Sequence, residues 1–350
     1  MIDQSSPVSK MWNQTVYAKF AGQVDPFEDH QFFRPLDRAY TGDNTFWETP
    51  SPEPPLSSEF WETVKNHLDD DRIKEAAICL AREILMHEPD PNRLIFPAIL
   101  RAGTPVADWL VRLLPGSVAV SVSLFAGLGI DKTALSRIKS EYPDRKIVFV
   151  DGWTGRGGVA REIRKTGLGP LAVLIDPWNW ADFSGVREDI FCPSACFTGV
   201  ATQGFSRTFF TGENELFATY SFAEKYWRKD VVKAWQATCP KPEAGVKPET
   251  KPETKTDTQC NDHFDTTAQK PKESFYKQTD LRIHANEVCR ALINADPEEL
   301  YFFHDKDFVS RNFKLLLLLA EQRGVKVNYD DLRLAELKTF VACSLRVKKN

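Results

Sequence analysis

A glycine-rich loop that follows an apolar run is the most chemically specific stretch of this sequence. Residues 147–158 read IVFVDGWTGRGG, so a β-branched run ends in Asp151 and a loop of glycines and one threonine follows. This pattern predicts a strand, a loop and then a helix over 159–165. The N–H groups at such a helix start bind phosphate, and the acid can bind a sugar hydroxyl or a magnesium ion. The alternative is a tight turn with Thr154 as helix cap.

A second glycine loop has the same arrangement. Residues 99–107 read ILRAGTPVA and join a predicted strand, 94–100, to a predicted helix through Val106. The glycine permits close approach of the backbone to a ligand. Arg101 is placed to bind an anion there, although it can equally be a surface salt-bridge residue. In a parallel sheet both loops lie at the carboxyl ends of the strands, where ligands bind.

The elements around these loops alternate between short apolar strands and helices, which predicts an α/β fold with a Rossmann-like parallel sheet and helices on both faces. The predicted strands are 94–100, 118–124, 146–150 and 171–175, and the predicted helices begin near Ser58, Asp71, Val106, Lys132 and Val159. Residues 1–56, rich in aromatics and proline, are expected to wrap over this core. With 350 residues, 42% of them hydrophobic, the chain has room for a second domain.

The repeat KPETKPETK at 247–255 separates the two predicted domains. It has almost no large apolar side chains, so we expect a disordered linker. Helices over 283–293 and 307–322 and strands over 300–303 and 325–328 then predict a small C-terminal α/β domain, with Gly324 ending its second helix. The boundaries are 1–236 for the first domain, 237–274 for the linker and 275–350 for the tail domain.

The net charge, the polar N-terminal residues and the cysteine content indicate a cytoplasmic protein. A net charge of −4 gives no bulk attraction to nucleic acid or anionic membrane. The first 11 residues do not resemble a secretory signal, and no apolar run is long enough to span a membrane. Seven irregularly spaced cysteines indicate reduced thiols, and the close pair Cys192 and Cys196 has no partner motif for zinc, so no protein metal site is predicted.

The two loops together resemble the pyrophosphate loop and the ribose-phosphate loop of type I phosphoribosyltransferases. A wider set of motifs is similar to the bacterial StiP family, phosphoribosyltransferase-like proteins of tellurium-resistance and stress gene clusters. These motifs are LRAGTPV (100–106), GID (129–131), VFVDGWTG (148–155), RED (187–189), PSA (193–195) and SR (206–207). Residues 275–350 are similar in size and element order to the Pelota-type RNA-binding domain that the family often carries.

The resemblance implies an enzyme of the glycosyltransferase class that binds phosphoribosyl pyrophosphate with magnesium and transfers phosphoribose to an unknown acceptor. Asp151 and Arg101 would be the catalytic residues, and the tail domain would bind RNA. No membrane partner is expected. The implied substrate-binding residues are Ala102, Gly103, Thr104, Gly152, Trp153, Thr154, Gly155, Arg156, Gly157, Gly158, Asp131, Arg187 and Arg207.

Several residues keep a simpler alternative. Trp153 either stacks on a base or covers the core, Asp131 is a candidate helix N-cap, and Arg187 belongs to a charge run typical of a solvated surface. Gly152 stands where type I transferases usually have a second acid, and 125–128 lacks an expected arginine, so a non-catalytic nucleotide- and RNA-binding stress protein is the second hypothesis. A cysteine protease, as the family's common name suggests, is the third, although buried structural thiols explain Cys192 and Cys196 better.

Overall fold

A computed structural model describes residues 6–35, 44–241 and 281–346. The N-terminal part is an α/β structure of thirteen strands and six helices among the residues described. The strands are β1 (Val8–Ser9), β2 (Gln14–Val16), β3 (Lys19–Val24), β4 (Leu94–Ile99), β5 (Val118–Val122), β6 (Leu124–Phe125), β7 (Gly129–Ile130), β8 (Lys146–Ile147), β9 (Phe149–Trp153), β10 (Leu171–Ile175), β11 (Phe183–Val186), β12 (Thr208–Phe209) and β13 (Ala218–Phe222). The helices are α1 (Ser58–Asn66), α2 (Asp71–His87), α3 (Gly103–Leu113), α4 (Lys132–Glu141), α5 (Gly158–Thr166) and α6 (Lys229–Ala237).

The main sheet has the strand order β1-β2-β5-β4-β9-β10-β11, with β8 beside β4, and all its pairs except β1–β2 are parallel. Every residue of β4, β9 and β10 is buried, as expected for parallel strands covered on both faces. Helices α1, α2, α3 and α6 contribute to one apolar cluster, and α4 and α5 contribute to another. The predicted α/β class with parallel strands is confirmed; its assignment to the phosphoribosyltransferase type stays a prediction.

The N-terminal segment does more than wrap over the core, because its strands enter two sheets. β1 and β2 extend the main sheet, and β3 pairs in parallel with β13 in a second sheet of order β12-β13-β3. The prediction of a covering segment is therefore corrected for these strands. Their side chains also reach the core: Trp12 is buried and its indole N–H donates to the carbonyl of Ala201 at 2.8 Å.

The predicted ends of most helices and strands lie within a few residues of the observed ones. The caps of the first two helices are Ser57 and Asp70, each one residue before the predicted cap, and their side chains accept from the N–H groups of Phe60 and Arg72. A larger difference affects Asp151. The strand β9 continues to Trp153, so Asp151 lies inside the strand and pairs across from Val173.

The C-terminal segment forms a mixed four-stranded sheet with three helices. Its elements are β14 (Leu281–Ile283), α7 (Ala285–Asn294), β15 (Pro297–Phe302), α8 (Lys306–Asn312), α9 (Lys314–Gln322), β16 (Lys326–Asn328) and β17 (Val341–Leu345). The sheet order is β14-β17-β15-β16. Gly324 follows α9 with a φ of 62°, as predicted for a helix-ending glycine. Sequence reasoning missed β14 and β17 and joined α8 and α9, which are separate at Phe313.

The two parts of the chain share one apolar core. Val288, Cys289 and Leu292 of α7 belong to the same buried cluster as Trp153 and Cys196 of the N-terminal part. Helix α9 also packs against α1. The C-terminal segment is therefore docked on the N-terminal part by apolar burial, which the sequence did not indicate.

Most of the predicted linker, 237–274, lies outside the described residues; only its first residues, up to 241, fall within them. Over the part of the chain that the structure describes, no helix combines the length and apolar character needed to cross a membrane.

Candidate functional site

The Arg101 loop (residues 100–104) and the glycine loop (residues 152–158) lie side by side. They follow or include the ends of β4 and β9, which are parallel neighbours with Ala98 opposite Val150. A Cβ atom added to Gly103 would lie 2.2 Å from the carbonyl oxygen of Val150, and one added to Gly152 would lie 3.1 Å from the Cβ of Ala102. The two predicted loops thus meet at the carboxyl edge of the sheet, where the strand order changes direction, which is the expected place for a ligand.

Arg101 is a buried cation that no carboxylate of the described residues pairs with directly. Its side chain is 4% exposed, its Nη2 atom has no hydrogen-bond partner, and no carboxylate oxygen of the described residues lies within 4 Å of its guanidinium. Burial holds the pKa of Arg101 well below its ordinary value, the charges of Arg290 and Arg207 lower it further, and the charge of Glu53 raises it. Since arginine stays charged in proteins, the free protein holds this cation at a cost that a bound anion would remove.

Asp151 lies on β9, the strand next to β4, which leads into the Arg101 loop. Its side chain is 8% exposed, and one carboxylate oxygen accepts from the N–H of Gly152 at 2.8 Å. Burial raises the pKa of Asp151 to about 7, the charge of Arg290 lowers it, and that of Glu287 raises it. The carboxyl group therefore titrates near neutrality, which is frequent in ligand-binding and catalytic sites.

The glycine loop is partly occupied by contacts within the chain. The Thr154 hydroxyl donates to Asp176, and the Thr154 N–H donates to the carbonyl of Ile175 at 2.9 Å, so neither group is free for a phosphate. Gly155 lies against the C-terminal segment, because a Cβ there would come within 2.6 Å of the Cγ of Glu287. Gly158, at the start of α5, has no neighbour within 4 Å of such a Cβ and is open.

Trp153 connects the two parts of the chain. It is 5% exposed, its indole N–H donates to Glu287 Oε1 at 2.7 Å, and the guanidinium carbon of Arg290 lies 6.0 Å from its ring centre. Neither sequence-based prediction for this residue, base stacking or a lid over the core, includes a contact with the C-terminal segment. In the structure α7 covers the ring.

Arg207 has a full set of partners. It is 3% exposed; its Nε donates to Glu53 Oε2 at 2.8 Å, its Nη2 donates to the same carboxylate, and its Nη1 donates to Ser51 Oγ at 2.9 Å. Glu53 also accepts from the Thr198 hydroxyl and from the N–H groups of Gly199 and Val200. This buried pair holds the N-terminal segment in place, which accounts for Arg207 without a ligand.

Asp131 and the charge run at 187–189 make contacts within the protein. Asp131 caps α4 by accepting from Ala134 N–H at 2.9 Å and also accepts from Phe217 N–H at 2.7 Å, as the simpler alternative expected. Arg187 is exposed, whereas Asp189 of the same charge run is tied to the tail: it accepts from Ala285 N–H at 3.0 Å and lies 3.3 Å from His284 Nδ1.

The remaining predicted residues lie in or next to the two loops, and their contacts do not single out a ligand-binding group. Ala102 and Thr104 are buried, the Thr104 hydroxyl lies 3.2 Å from Ser121 Oγ, and Arg156 is half-buried. Gly157 has a φ of 77° and lies under the Trp180 ring.

The donor groups for a metal ion are few. No group of three or more His, Cys, Asp or Glu side chains among the described residues could hold one. Asp176 accepts from Thr154 and from the N–H groups of Trp180 and Ala181, so its carboxylate is already engaged. Asp151 can supply an oxygen to a magnesium ion whose other ligands are phosphate oxygens and water, the usual way in which proteins bind it with phosphorylated ligands.

Comparison with known proteins places this site in a family. The family model described as "Tellurite-like stress resistance cysteine protease StiP" matches residues 38–237, more than half of the chain and both loops. The chain belongs to the StiP family. A curated relative, "Cysteine protease StiP" of Acinetobacter baylyi, is 28% identical over 156 residues, which are 41% of this chain and 40% of the relative. The chain thus spans about two fifths of the length of that relative.

The thiols of this StiP-family chain are buried. Burial raises the pKa of Cys192 to about 11, and its Sγ lies 3.1 Å from Ser194 Oγ. Burial raises the pKa of Cys196 well above its ordinary value, and its Sγ is 3.6 Å from that of Cys289 in α7. Neither thiol hydrogen-bonds a histidine in the described regions. A nucleophilic cysteine needs a base and a lowered pKa, so these surroundings favour structural thiols.

We therefore expect Cys192, Cys196 and Cys289 to resist iodoacetamide in the folded protein at pH 8, because they are fully buried. Peptide mass spectrometry would measure their labelling before and after unfolding in urea. Cys79, which is partly exposed although burial also raises its pKa, is the internal control for access of the reagent. Labelling of Cys192 or Cys196 in the folded protein faster than that of Cys79 would contradict the structural assignment.

Sequence reasoning missed the contribution of the C-terminal segment. Glu287 and Arg290 are three residues apart on an amphipathic helix, a spacing usually read as a solvent-exposed charge pair. Glu53 lies in a proline-rich stretch that gives no sequence signal of a buried ion pair. No local pattern distinguishes these residues from surface charges; their roles depend on contacts between distant segments.

Proposed function

We propose that this chain binds phosphoribosyl pyrophosphate, or a closely related phosphosugar, between the Arg101 loop and the glycine loop, and transfers phosphoribose to an acceptor. The observation that carries the proposal is the buried guanidinium of Arg101, whose Nη2 has no hydrogen-bond partner, in a loop that contacts the glycine loop at the carboxyl edge of the sheet. A buried cation with no counter-ion is expected where an anionic ligand completes the charge balance.

The pyrophosphate of the ligand would lie on the Arg101 loop. Its charge increases as the bond from the anomeric carbon breaks, and a fixed guanidinium in a dry site stabilises that charge. Asp151 would bind the ribose hydroxyls, and the open start of α5 at Gly158 would receive the 5-phosphate. A magnesium ion shared between Asp151 and the phosphates would neutralise part of the leaving group's charge.

In the reaction a lone pair of the acceptor forms a bond to the anomeric carbon. Pyrophosphate leaves with the electron pair of the broken carbon–oxygen bond, and the acceptor's proton passes to solvent. At neutral pH the Asp151 carboxyl is present in both protonation states, so it can accept from or donate to a ribose hydroxyl.

Titration calorimetry with phosphoribosyl pyrophosphate and magnesium tests the binding step. We expect the wild type to release heat, and Arg101→Gln to weaken binding by roughly 10- to 100-fold, because one charge-assisted hydrogen bond contributes about 1.5–3 kcal/mol. Asp151→Ala should also weaken it. Arg311→Gln, which removes an exposed arginine of α8, is the matched control. No heat from the wild type, or equal affinity in Arg101→Gln, would overturn the proposal.

Pyrophosphate release then separates a transferase from a non-catalytic binding module. Purified protein would be incubated with phosphoribosyl pyrophosphate, magnesium and a panel of nucleobases, with identically purified Arg101→Gln as the control for contaminating pyrophosphatase. Release above this control supports transfer. Binding without release supports the nucleotide-sensing alternative. RNA binding through residues 275–350 rests on the resemblance to the Pelota-type domain and stays a prediction.

Proteolysis is the competing proposal, because the family model and the curated relative are both named for a cysteine protease. The burial and raised pKa of Cys192 and Cys196 speak against it. If Cys192→Ser or Cys196→Ser abolished cleavage of a protein substrate while leaving the fold intact, the protease would replace the transferase as the leading function.

A further inference from the structure

Helix α7 places a carboxylate against the glycine loop. Glu287 Oε1 accepts a 2.7 Å hydrogen bond from the indole N–H of Trp153, and the Cγ of Glu287 lies where a side chain on Gly155 would be. The charge of Glu287 raises the pKa of Asp151. An acceptor oxygen with negative charge thus already occupies the space beside this loop, as the oxygen of a bound phosphate would.

One turn further along α7, Arg290 brings a second cation to the same site. Its guanidinium carbon is 6.0 Å from the Trp153 ring centre, and its charge lowers the pKa values of both Arg101 and Asp151. Within the described residues no carboxylate oxygen comes within 4 Å of this guanidinium. Two cations from distant parts of the chain therefore act on each other, and neither guanidinium forms a salt bridge with a carboxylate of the described residues.

We propose that α7 of the C-terminal segment is a wall of the phosphosugar site, in which Arg290 binds the ligand's phosphate and Glu287 competes with that phosphate for the glycine loop. This inference rests on the proposed function. It gives the C-terminal segment a part in the same site, in addition to any role in binding RNA.

The geometry gives the two residues opposite effects on one ligand. The carboxylate ends a flexible side chain, so a phosphate can displace it while α7 stays docked, and the Trp153 N–H then donates to the phosphate. Other docking contacts remain when the Glu287 carboxylate is displaced: Asn286 Oδ1 accepts from Cys192 N–H at 2.7 Å, and Asn286 Nδ2 donates to the Ile190 carbonyl at 2.9 Å. Glu287 thus acts as a built-in competitor and Arg290 as an attractive charge.

Calorimetry with ribose 5-phosphate tests this pair, because that probe needs only the sugar-phosphate part of the site. We expect Glu287→Gln to tighten binding by roughly 15- to 30-fold, as for one charge about 8–10 Å from a phosphate at an effective dielectric constant of about 20. Arg290→Gln should weaken binding by roughly 10- to 100-fold, as for the loss of one charge-assisted hydrogen bond. Glutamine keeps the length of the side chain and an acceptor for Trp153. Glu321→Gln and Arg311→Gln, which remove exposed charges of the same segment, should leave affinity unchanged.

The outcomes separate this inference from the proposed function. If the wild type binds neither ribose 5-phosphate nor phosphoribosyl pyrophosphate, both fail. If the wild type binds and Arg101→Gln does not, but Glu287→Gln and Arg290→Gln match their controls, the proposed function stands and this inference is overturned. Weaker binding by Glu287→Gln also overturns it, since Glu287 would then support the site rather than compete for it.

Discussion

Replacing Arg207 with methionine should lower the free energy of unfolding by about 3–5 kcal/mol, whereas the same replacement at Arg101 should raise it by about 1–3 kcal/mol. Both arginines are almost fully buried, so the lost apolar contact of the side chain is similar. They differ in their partners. Arg207 is paired with Glu53, whereas Nη2 of Arg101 has no hydrogen-bond partner.

The loss at Arg207 follows from the partner that remains. Without the guanidinium, Glu53 stays fully buried with only neutral donors from Thr198, Gly199 and Val200. Removal of one member of a buried ion pair leaves an uncompensated charge, which is more costly than the absence of the pair. The double variant Glu53→Gln/Arg207→Met should therefore be more stable than Arg207→Met alone.

The gain at Arg101 has the opposite origin, because methionine removes a buried charge and leaves no partner behind. Urea denaturation followed by tryptophan fluorescence would compare the midpoints at constant slope. A loss of stability in Arg101→Met comparable with that in Arg207→Met would mean that Arg101 is paired within the protein. The anion site would then lose its main support. A stabilised variant that no longer binds phosphoribosyl pyrophosphate would show the exchange of stability for function expected of a binding residue.

The parts of this site that the sequence predicted are those set by local patterns. The apolar runs at 94–99 and 171–175 and the caps before α1 and α2 depend on neighbouring residues, and their positions differ from expectation by at most one residue. The meeting of the Arg101 loop with the glycine loop followed from the rule that the carboxyl ends of parallel strands lie at one edge of a sheet.

The other features of the site could not be predicted from neighbouring residues in the sequence. Gly152 and Trp153 look like the start of a loop, but Trp153 pairs with Ile175 and completes a buried strand. Glu287 and Arg290 have the spacing of a solvated pair, and only the docking of α7 turns them toward Trp153. In each instance the decisive contact joins segments far apart in sequence, and local propensity carries no information about it.

Asp151→Asn should stabilise the free protein at pH 8 and have little effect at pH 4. Burial raises the pKa of Asp151 to about 7 in the folded state, from an ordinary value of 3.8. The folded protein then binds this proton more tightly than the unfolded chain does. The associated stability is fully present below pH 3.8 and is lost as the pH rises through about 7. Asparagine removes this dependence, so the variant should exceed the wild type by an amount on the order of 2–4 kcal/mol at pH 8.

Urea titrations at half-unit steps from pH 4 to pH 8 would measure this difference. Asp331→Asn is the control of opposite sign, because hydrogen bonding to Arg333 lowers the pKa of Asp331. Its stabilising effect is complete above the ordinary value of 3.8, so its difference from the wild type should be flat between pH 5 and pH 8. A flat profile for Asp151→Asn over the same range would show that Asp151 is already ionised in the folded state. Asp151 would then have a permanent counter-ion in the folded protein, and its proposed use of both protonation states at a ribose hydroxyl would be overturned.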